Sequence, residues 1–232
     1  MKMLAVIPAR GGSKGVHRKN LYPLGGQPLI GHTISAALRC PLITELVVSS
    51  EDEEILEVSR SLGVDSLIKR PASLATDNAQ SAPVIIHALD IMEERTKKAY
   101  DWVLMLQPTS PFRTAKHISS AVEHSKFPGA DSVVSVVSVG AHHPLRMKTD
   151  ENGWMKNFVP QTNWNMKPRQ ELPPVYIRNG AIYLIKASVL RATNQLIGDH
   201  CRIFIMSEND SLNIDSIADI REAERIIGDN SD

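Results

Sequence analysis

The chain is 232 residues long, 42% hydrophobic and 22% charged, and its 26 lysines and arginines balance its 26 aspartates and glutamates. That is long enough to bury a proper core, while a net charge of zero argues against the positive excess that bulk nucleic-acid binding needs, so any polyanion site must be a local patch. The two cysteines, Cys40 and Cys201, lie far apart; they argue against a disulfide framework or a zinc site and are expected as buried thiols in a reducing compartment.

MLAVIP (3–8) predicts a buried strand. Its apolar run is too short for a signal-peptide core and no small-residue cleavage site follows. No stretch approaches membrane-spanning length, so a cytoplasmic protein with no membrane partner is expected. Helical spacing runs from Pro28 to about Arg39, and ELVVSS (45–50) is a second strand. Ser50 and Glu53 form a capping-box pair that opens a helix through Leu62. DSLIKR (65–70) is a weaker strand, residues 82–95 have apolar positions at helical spacing, and WVLMLQ (102–107) is a strand ended by the breaker PTSP. Thr114 caps a helix to about Lys126, and a long strand covers 132–139.

Residues 140–178 interrupt this rhythm with five prolines, two tryptophans and little periodicity, which reads as an arm or excursion that packs on something. AIYLIK (181–186) and CRIFIMS (201–207) are strands, and Ser216 to Ile227 is a closing helix. Strands alternating with helices predict an α/β fold with a mostly parallel sheet covered on both faces. Ligands of such sheets sit outside the carboxyl ends of the strands.

Three polar loops leave carboxyl ends: ARGGSKG (9–15), the segment around Ser49–Glu53, and QPTSPFR (107–113). The first is rich in glycine, which lets backbone N–H groups approach an anion and permits positive φ. Arg10, Lys14, Arg18 and Lys19 add the charge that a triphosphate requires. Neither a Walker loop nor a dinucleotide fingerprint is present, since Lys14 precedes Gly15 and not a hydroxyl residue; the alternative is a surface turn with solvated lysines. In 106–114 two prolines rigidify a loop carrying Gln107, Thr109 and Ser110, either as a pre-organised polar site or as a turn and helix cap. Asp215 in LNIDSIAD (212–219) offers a carboxylate of the kind magnesium uses together with substrate oxygens, or else a helix N-terminal charge. Arg169 and Arg178 flank a proline pair and suit either capture of a substrate carboxylate or a surface salt bridge with Glu171. His142 and His143 are adjacent, which makes no metal face, and read as loop or packing residues.

Taken together, IPARGGSKG, LQPTSPFRT, PRQELPPVYIRNGAIY and LNIDSIAD, in this order and at these distances, resemble the acylneuraminate cytidylyltransferases, the CMP-sialic acid synthetases. The resemblance runs from Val6 to about Ile226. It implies a nucleotidyltransferase-type, Rossmann-like α/β domain over 1–232, with 140–178 as an inserted arm that makes a homodimer. It also implies transfer of CMP from CTP to a nine-carbon 2-keto sugar acid, with magnesium as cofactor and pyrophosphate released.

Residue by residue, the resemblance gives Arg10, Lys19 and Asp215 catalytic roles, and Arg10, Gly11, Gly12, Ser13, Lys14, Asn20, Arg70 and Ser81 the nucleotide. Gln107, Thr109, Ser110, Arg146, Arg169, Asn179 and Tyr183 would face the sugar, and Asp215 with Asn213 the metal. Two departures stand out. Asn213 replaces the first carboxylate of the D-I-D that many members carry, and Arg178 is displaced by one position from a second arginine found in some. The same chemistry on legionaminic, pseudaminic or deoxyoctulosonic acid is the near alternative, and a non-catalytic nucleotide-binding protein is the distant one.

Overall fold

The computed structural model describes residues 1–160 and 168–229, without the side chain of residue 169. In chain order the elements are β1 (Met3–Pro8), the two-residue pair β2 (Pro23–Leu24) and β3 (Gln27–Pro28), α1 (Leu29–Leu38), β4 (Glu45–Ser50), α2 (Glu53–Ser61) and β5 (Ser66–Lys69). There follow α3 (Ser81–Thr96), β6 (Trp102–Met105), α4 (Ala115–Ser125), β7 (Ser132–Ser138), β8 (Lys148–Glu151) and β9 (Trp154–Asn157). The chain closes with β10 (Tyr176–Lys186), α5 (Ala187–Thr193), β11 (Cys201–Ile205) and α6 (Ile217–Asp229).

Seven strands form one sheet in the order β11-β7-β10-β6-β1-β4-β5. β1 carries no charge and lies between parallel neighbours β4 and β6. Its alternation sends Met3, Ala5 and Ile7 into a core with Ile30 and Ile34 of α1 and Ile118 and Val122 of α4. Leu4 and Val6 enter the opposite core with Ile85, Leu89 and Met92 of α3. Each such side chain contributes about 1.5–3 kcal/mol when withdrawn from water. A third cluster joins Ile220 and Ala223 of α6 to Val16, Leu24, Leu29 and Ile214, anchoring the C-terminal helix beneath the first loop.

β10 alone runs antiparallel to both of its neighbours, β6 and β7. Its start therefore lies at the sheet edge where β1, β4 and β6 end, which brings Arg178–Gly180 to the loops that follow those strands. The register of β10 against β7 shifts between Arg178 and Tyr183, and Gly180 has φ +80, a bulge that a side chain would resist.

Three expectations change. The cap of α2 is Asp52, whose carboxylate accepts from Glu54 N at 2.9 Å and Ile55 N at 3.3 Å; β4 runs through Ser50, so that hydroxyl accepts from Asp52 N instead. Residues 140–178 are not wholly irregular, since β8 and β9 pair as an antiparallel hairpin. Its turn is Asn152-Gly153, both at positive φ (56 and 84), the pair that a tight hairpin turn favours. The hairpin escaped periodicity because no described residue buries it: Trp154 is 75% and Met155 74% exposed. Finally, Cys40 is buried but Cys201 only partly so, and both are free thiols.

Candidate active site

The first loop is built differently from a glycine nest. None of Gly11, Gly12 and Gly15 has positive φ; the left-handed residue is Arg18, at φ 49. Two of the glycines are needed for close approach instead. A Cβ on Gly11 would strike the Asp52 carboxylate, and one on Gly15 would strike the main-chain oxygen of Asp215. The loop is thereby pressed between the β4–α2 corner and the 212–215 segment. Gly11 donates its N–H to Glu51 Oε1 at 2.7 Å, so this amide faces a carboxylate of the chain itself. Asn20, 6% exposed, closes the loop by donating Nδ2 to Arg10 O at 2.8 Å. The Ser13 hydroxyl donates to Val16 O and accepts from Lys19 N.

The loop cations divide among distinct partners. Arg18 reaches Asp52 at 3.0 Å and Glu54 at 2.8 Å. Arg10 and Lys14 meet on Asp77, at 2.7 and 2.9 Å. Lys19 donates to Asp215 Oδ1 at 2.9 Å and to Ile214 O at 2.8 Å. Arg70, buried on the next loop, holds Glu51 through Nε and Nη2 at 3.1 and 2.9 Å, so Glu51 braces Gly11 and Arg70 together.

A cavity of about 420 Å³ opens at this edge. Arg10, Ser13, Lys19, Asn20, Arg70, Ser81, Gln107, Thr109, Asn213 and Asp215 all line it, so ten of the expected residues meet in one place. Gly11, Gly12 and Lys14 do not line it, although Lys14 reaches its wall through Asp77. Ile214 N donates to Thr109 O at 2.8 Å, a bond that joins the 107–113 loop to the 212–215 segment.

A second cavity of about 310 Å³ lies past Gln107, with Arg178, Tyr183, Gln195, Leu196, Ile197 and Met105 in its wall. An adjoining groove adds Asn179, Gly180, Ser211 and Asn213. Burial pushes the Tyr183 hydroxyl above the usual phenol range, with Arg178 partly offsetting it. Asn179 is 6% exposed and spent on structure. It accepts from Ser135 Oγ and Ala181 N and donates to Ser211 Oγ and Met206 Sδ, which fixes the main chain along the groove wall. Ser110 is 1% exposed with an unpartnered hydroxyl and lines neither of these two cavities. Arg146 sits on an exposed turn at the foot of the hairpin, away from both cavities. The Arg169 side chain lies outside the described residues.

Beneath Gln107 lies a residue with no expected role. Arg113 is 2% exposed and donates to Gln107 O at 3.1 Å, Ala181 O at 2.7 Å and Thr33 Oγ1 at 2.6 Å. Burial pushes its guanidinium down to about 9, which leaves it charged at neutral pH.

Among the described residues no three His, Cys, Asp or Glu side chains gather where they could hold a metal ion. Asp215 offers one exposed carboxylate in the first cavity. Asn213 donates Nδ2 to Asp215 Oδ2 at 2.5 Å, while its own oxygen is buried without a partner. Asn213 thus orients the Asp215 carboxylate through its amide N–H. One carboxylate still fits a magnesium ion that arrives on a triphosphate, since that ion keeps substrate and water oxygens in its sphere.

The individual residues that sequence reading missed are Glu51, Asp52, Asp77, Arg113 and the Gln195–Ile197 wall. Arg113 lay inside the 107–113 loop, and Glu51 and Asp52 inside the Ser49–Glu53 segment, both already singled out; Asp77 and the Gln195–Ile197 wall lay in neither.

Comparison with known proteins agrees with this geometry. A family model described as cytidylyltransferase matches residues 4–215. The chain is 34% identical to an N-acylneuraminate cytidylyltransferase of Escherichia coli over 96% of its length, and spans 51% of that protein. It is 35% identical to a CMP-N,N'-diacetyllegionaminic acid synthase of Legionella pneumophila, covering 98% of this chain and 97% of that one. It is 31% identical to a pseudaminic acid cytidylyltransferase of Campylobacter jejuni, covering 97% and 95%. A solved CMP:2-keto-3-deoxy-manno-octonic acid synthetase complexed with CTP shares the fold, with a TM-score of 0.74 over 99% of this chain and 100% of that one at 17% identity. The family model takes in the loop cations and the Lys19–Asp215 pair along with most of the chain, and on that match the chain belongs to the cytidylyltransferase family.

Proposed function

We propose that the protein transfers CMP from CTP to the anomeric hydroxyl of a nine-carbon 2-keto sugar acid of the N-acylneuraminate type and releases pyrophosphate. The observation that carries this reading is the position of the Lys19–Asp215 pair. The Lys19 side chain is only 15% exposed and lies in a cavity shared with Arg10, and the Gln107 wall of that cavity also lines the next one. The triphosphate is assigned to the first cavity and the acceptor to the second, which places the transferred phosphorus near Gln107. There the anomeric hydroxyl attacks in line, and Arg10 and Lys19 stabilise the charge that builds on the phosphate oxygens. Magnesium, held by Asp215 and the triphosphate, would neutralise phosphate charge when bound.

The relatives are named for N-acylneuraminate, diacetyllegionaminic acid and pseudaminic acid, which supports a sugar acid as acceptor. The second cavity supports it too. Arg178 offers a guanidinium for a carboxylate, and Met105, Leu196 and Ile197 offer an apolar wall for an acyl group. Free thiols at Cys40 and Cys201 suit a cytoplasmic enzyme, and no described helix is long and apolar enough to cross a membrane.

The test is pyrophosphate release with magnesium, each of the four nucleoside triphosphates, and N-acetylneuraminic, legionaminic, pseudaminic or deoxyoctulosonic acid in turn. Release is expected with CTP and N-acetylneuraminic acid. Release with another nucleotide, or with no sugar dependence, would overturn the assignment.

The arm supports a homodimer. An isolated two-stranded hairpin is marginal in water, and Trp154, Met155 and Phe158 are 75, 74 and 58% exposed. A second copy of the chain would cover them. Light scattering is expected to give twice the chain mass, falling to one chain mass in a Trp154→Ser/Met155→Ser variant; a monomeric parent protein would remove the proposal.

A further inference from the structure

We infer that Asp77 competes with the polyphosphate tail for the first loop, weakening CTP binding and helping to expel the pyrophosphate product. Asp77 lies on the 71–80 segment between β5 and α3, which lines the first cavity through Leu74, Thr76, Asp77 and Ala79. One carboxylate oxygen takes Arg10 Nη1 at 2.7 Å and the other takes Lys14 Nζ at 2.9 Å. Two cations of one loop thus grip separate oxygens of one anion, as they would grip a phosphate. Among the described residues neither cation makes another ion pair.

Two other carboxylates at this edge have a structural task that Asp77 lacks. Asp52 caps α2 and Glu51 accepts from Gly11 N, whereas the Asp77 carboxylate accepts from no main-chain amide among the described residues. Its main chain is held separately, by the turn in which Ala79 N donates to Thr76 O at 3.1 Å. The Lys14 hydrogen bond first, and Arg10 after it, hold the Asp77 carboxyl below its usual range, so it stays an anion wherever the enzyme would work.

A tethered carboxylate is always at high effective concentration. It exacts the same cost from any ligand that must displace it. That cost falls on CTP and on pyrophosphate, whose outer phosphates need Arg10 and Lys14, and spares CMP, which has none. Asp77 thereby sets polyphosphate affinity low enough for the product to leave.

The inference rests on the triphosphate lying against this loop, so the experiment separates the two. Binding of CTP, CMP and inorganic pyrophosphate is measured by calorimetry with magnesium on the parent protein, Asp77→Asn, Asp77→Ser and Arg10→Met, with pyrophosphate product inhibition measured in turnover. Both Asp77 variants are expected to bind CTP and pyrophosphate roughly fivefold more tightly. Their inhibition constant for pyrophosphate should fall in parallel, with CMP affinity unchanged. Unchanged or weaker pyrophosphate binding overturns the inference, and so does an equal gain for CMP. Arg10→Met is expected to lose affinity for CTP and pyrophosphate; if it binds both like the parent, the phosphate assignment itself is wrong, whatever Asp77 does.

Discussion

Lys19→Met is expected to lower kcat/KM by about 100- to 1,000-fold, with the melting temperature within about 2 °C of the parent. The ammonium is held on two sides, by Ile214 O at 2.8 Å and Asp215 Oδ1 at 2.9 Å, and so is fixed before substrate arrives. A charge held this way needs no reorganisation when the phosphate turns more negative, and groups of that kind typically contribute two to three orders of magnitude. Stability should hardly change, because Asp215 is 70% exposed and water can replace its lost partner. The same exposure makes Asp215→Ala a fair companion. If carboxylate and ammonium act as a unit, the double variant loses little more than either single one. Turnover within tenfold of the parent in Lys19→Met would remove the residue from the chemistry. Fully multiplicative losses would show that the two groups act separately.

Much of the scaffold is legible because it is local. MLAVIP and ELVVSS are strands over the stretches their composition marks, and Thr114 caps α4 with its hydroxyl on His117 N. The motif loops are legible through the resemblance that they carry: ten residues that it names line one cavity. What escaped is long-range or unburied. The Gly11–Glu51 and Arg10–Asp77 contacts join residues 40 and 67 positions apart, and no periodicity carries such a pairing. The β8–β9 hairpin has no buried face to impose alternation, so only Asn152-Gly153 could have revealed it. The loop glycines were read for positive φ, yet it is the proximity of Asp52 and of the Asp215 main chain that excludes a side chain there. Crowding of that kind becomes visible only once distant segments are placed.

Arg113→Met is expected to destabilise the protein by about 3 kcal/mol and to raise the KM for the sugar acid about tenfold, with the KM for CTP changed less than about twofold. Arg113 is fully buried, and no carboxylate pairs with it among the described residues; its Nε has no partner at all. Three hydrogen bonds hold it, to the main chain of Gln107, the main chain of Ala181 and the hydroxyl of Thr33. Removing the guanidinium takes the donor from Ala181 O and leaves Gln107 O with only its long bonds from Ser110 N and Thr33 Oγ1, both 3.4 Å, at about 1–3 kcal/mol for each buried acceptor so weakened, while relief from burying a charge returns part of that. The functional effect follows from which segments it ties. Gln107 Oε1 would lie 2.6 Å from a Cβ on Gly180, so the side chain dividing the two cavities is set against the β10 bulge. Arg113 fixes that approach from beneath by holding the main chain on both sides of it. The bulge lines the groove beside the second cavity and not the first, so with the acceptor assigned to the second cavity, as proposed, the effect on the two substrates is unequal. Arg113→Lys keeps the charge but replaces a planar fork with a single point, so it should recover part of the stability and little of the sugar-acid KM. An equal loss for both substrates would reduce Arg113 to a residue of the core, and full recovery by lysine would show that its charge matters and its geometry does not.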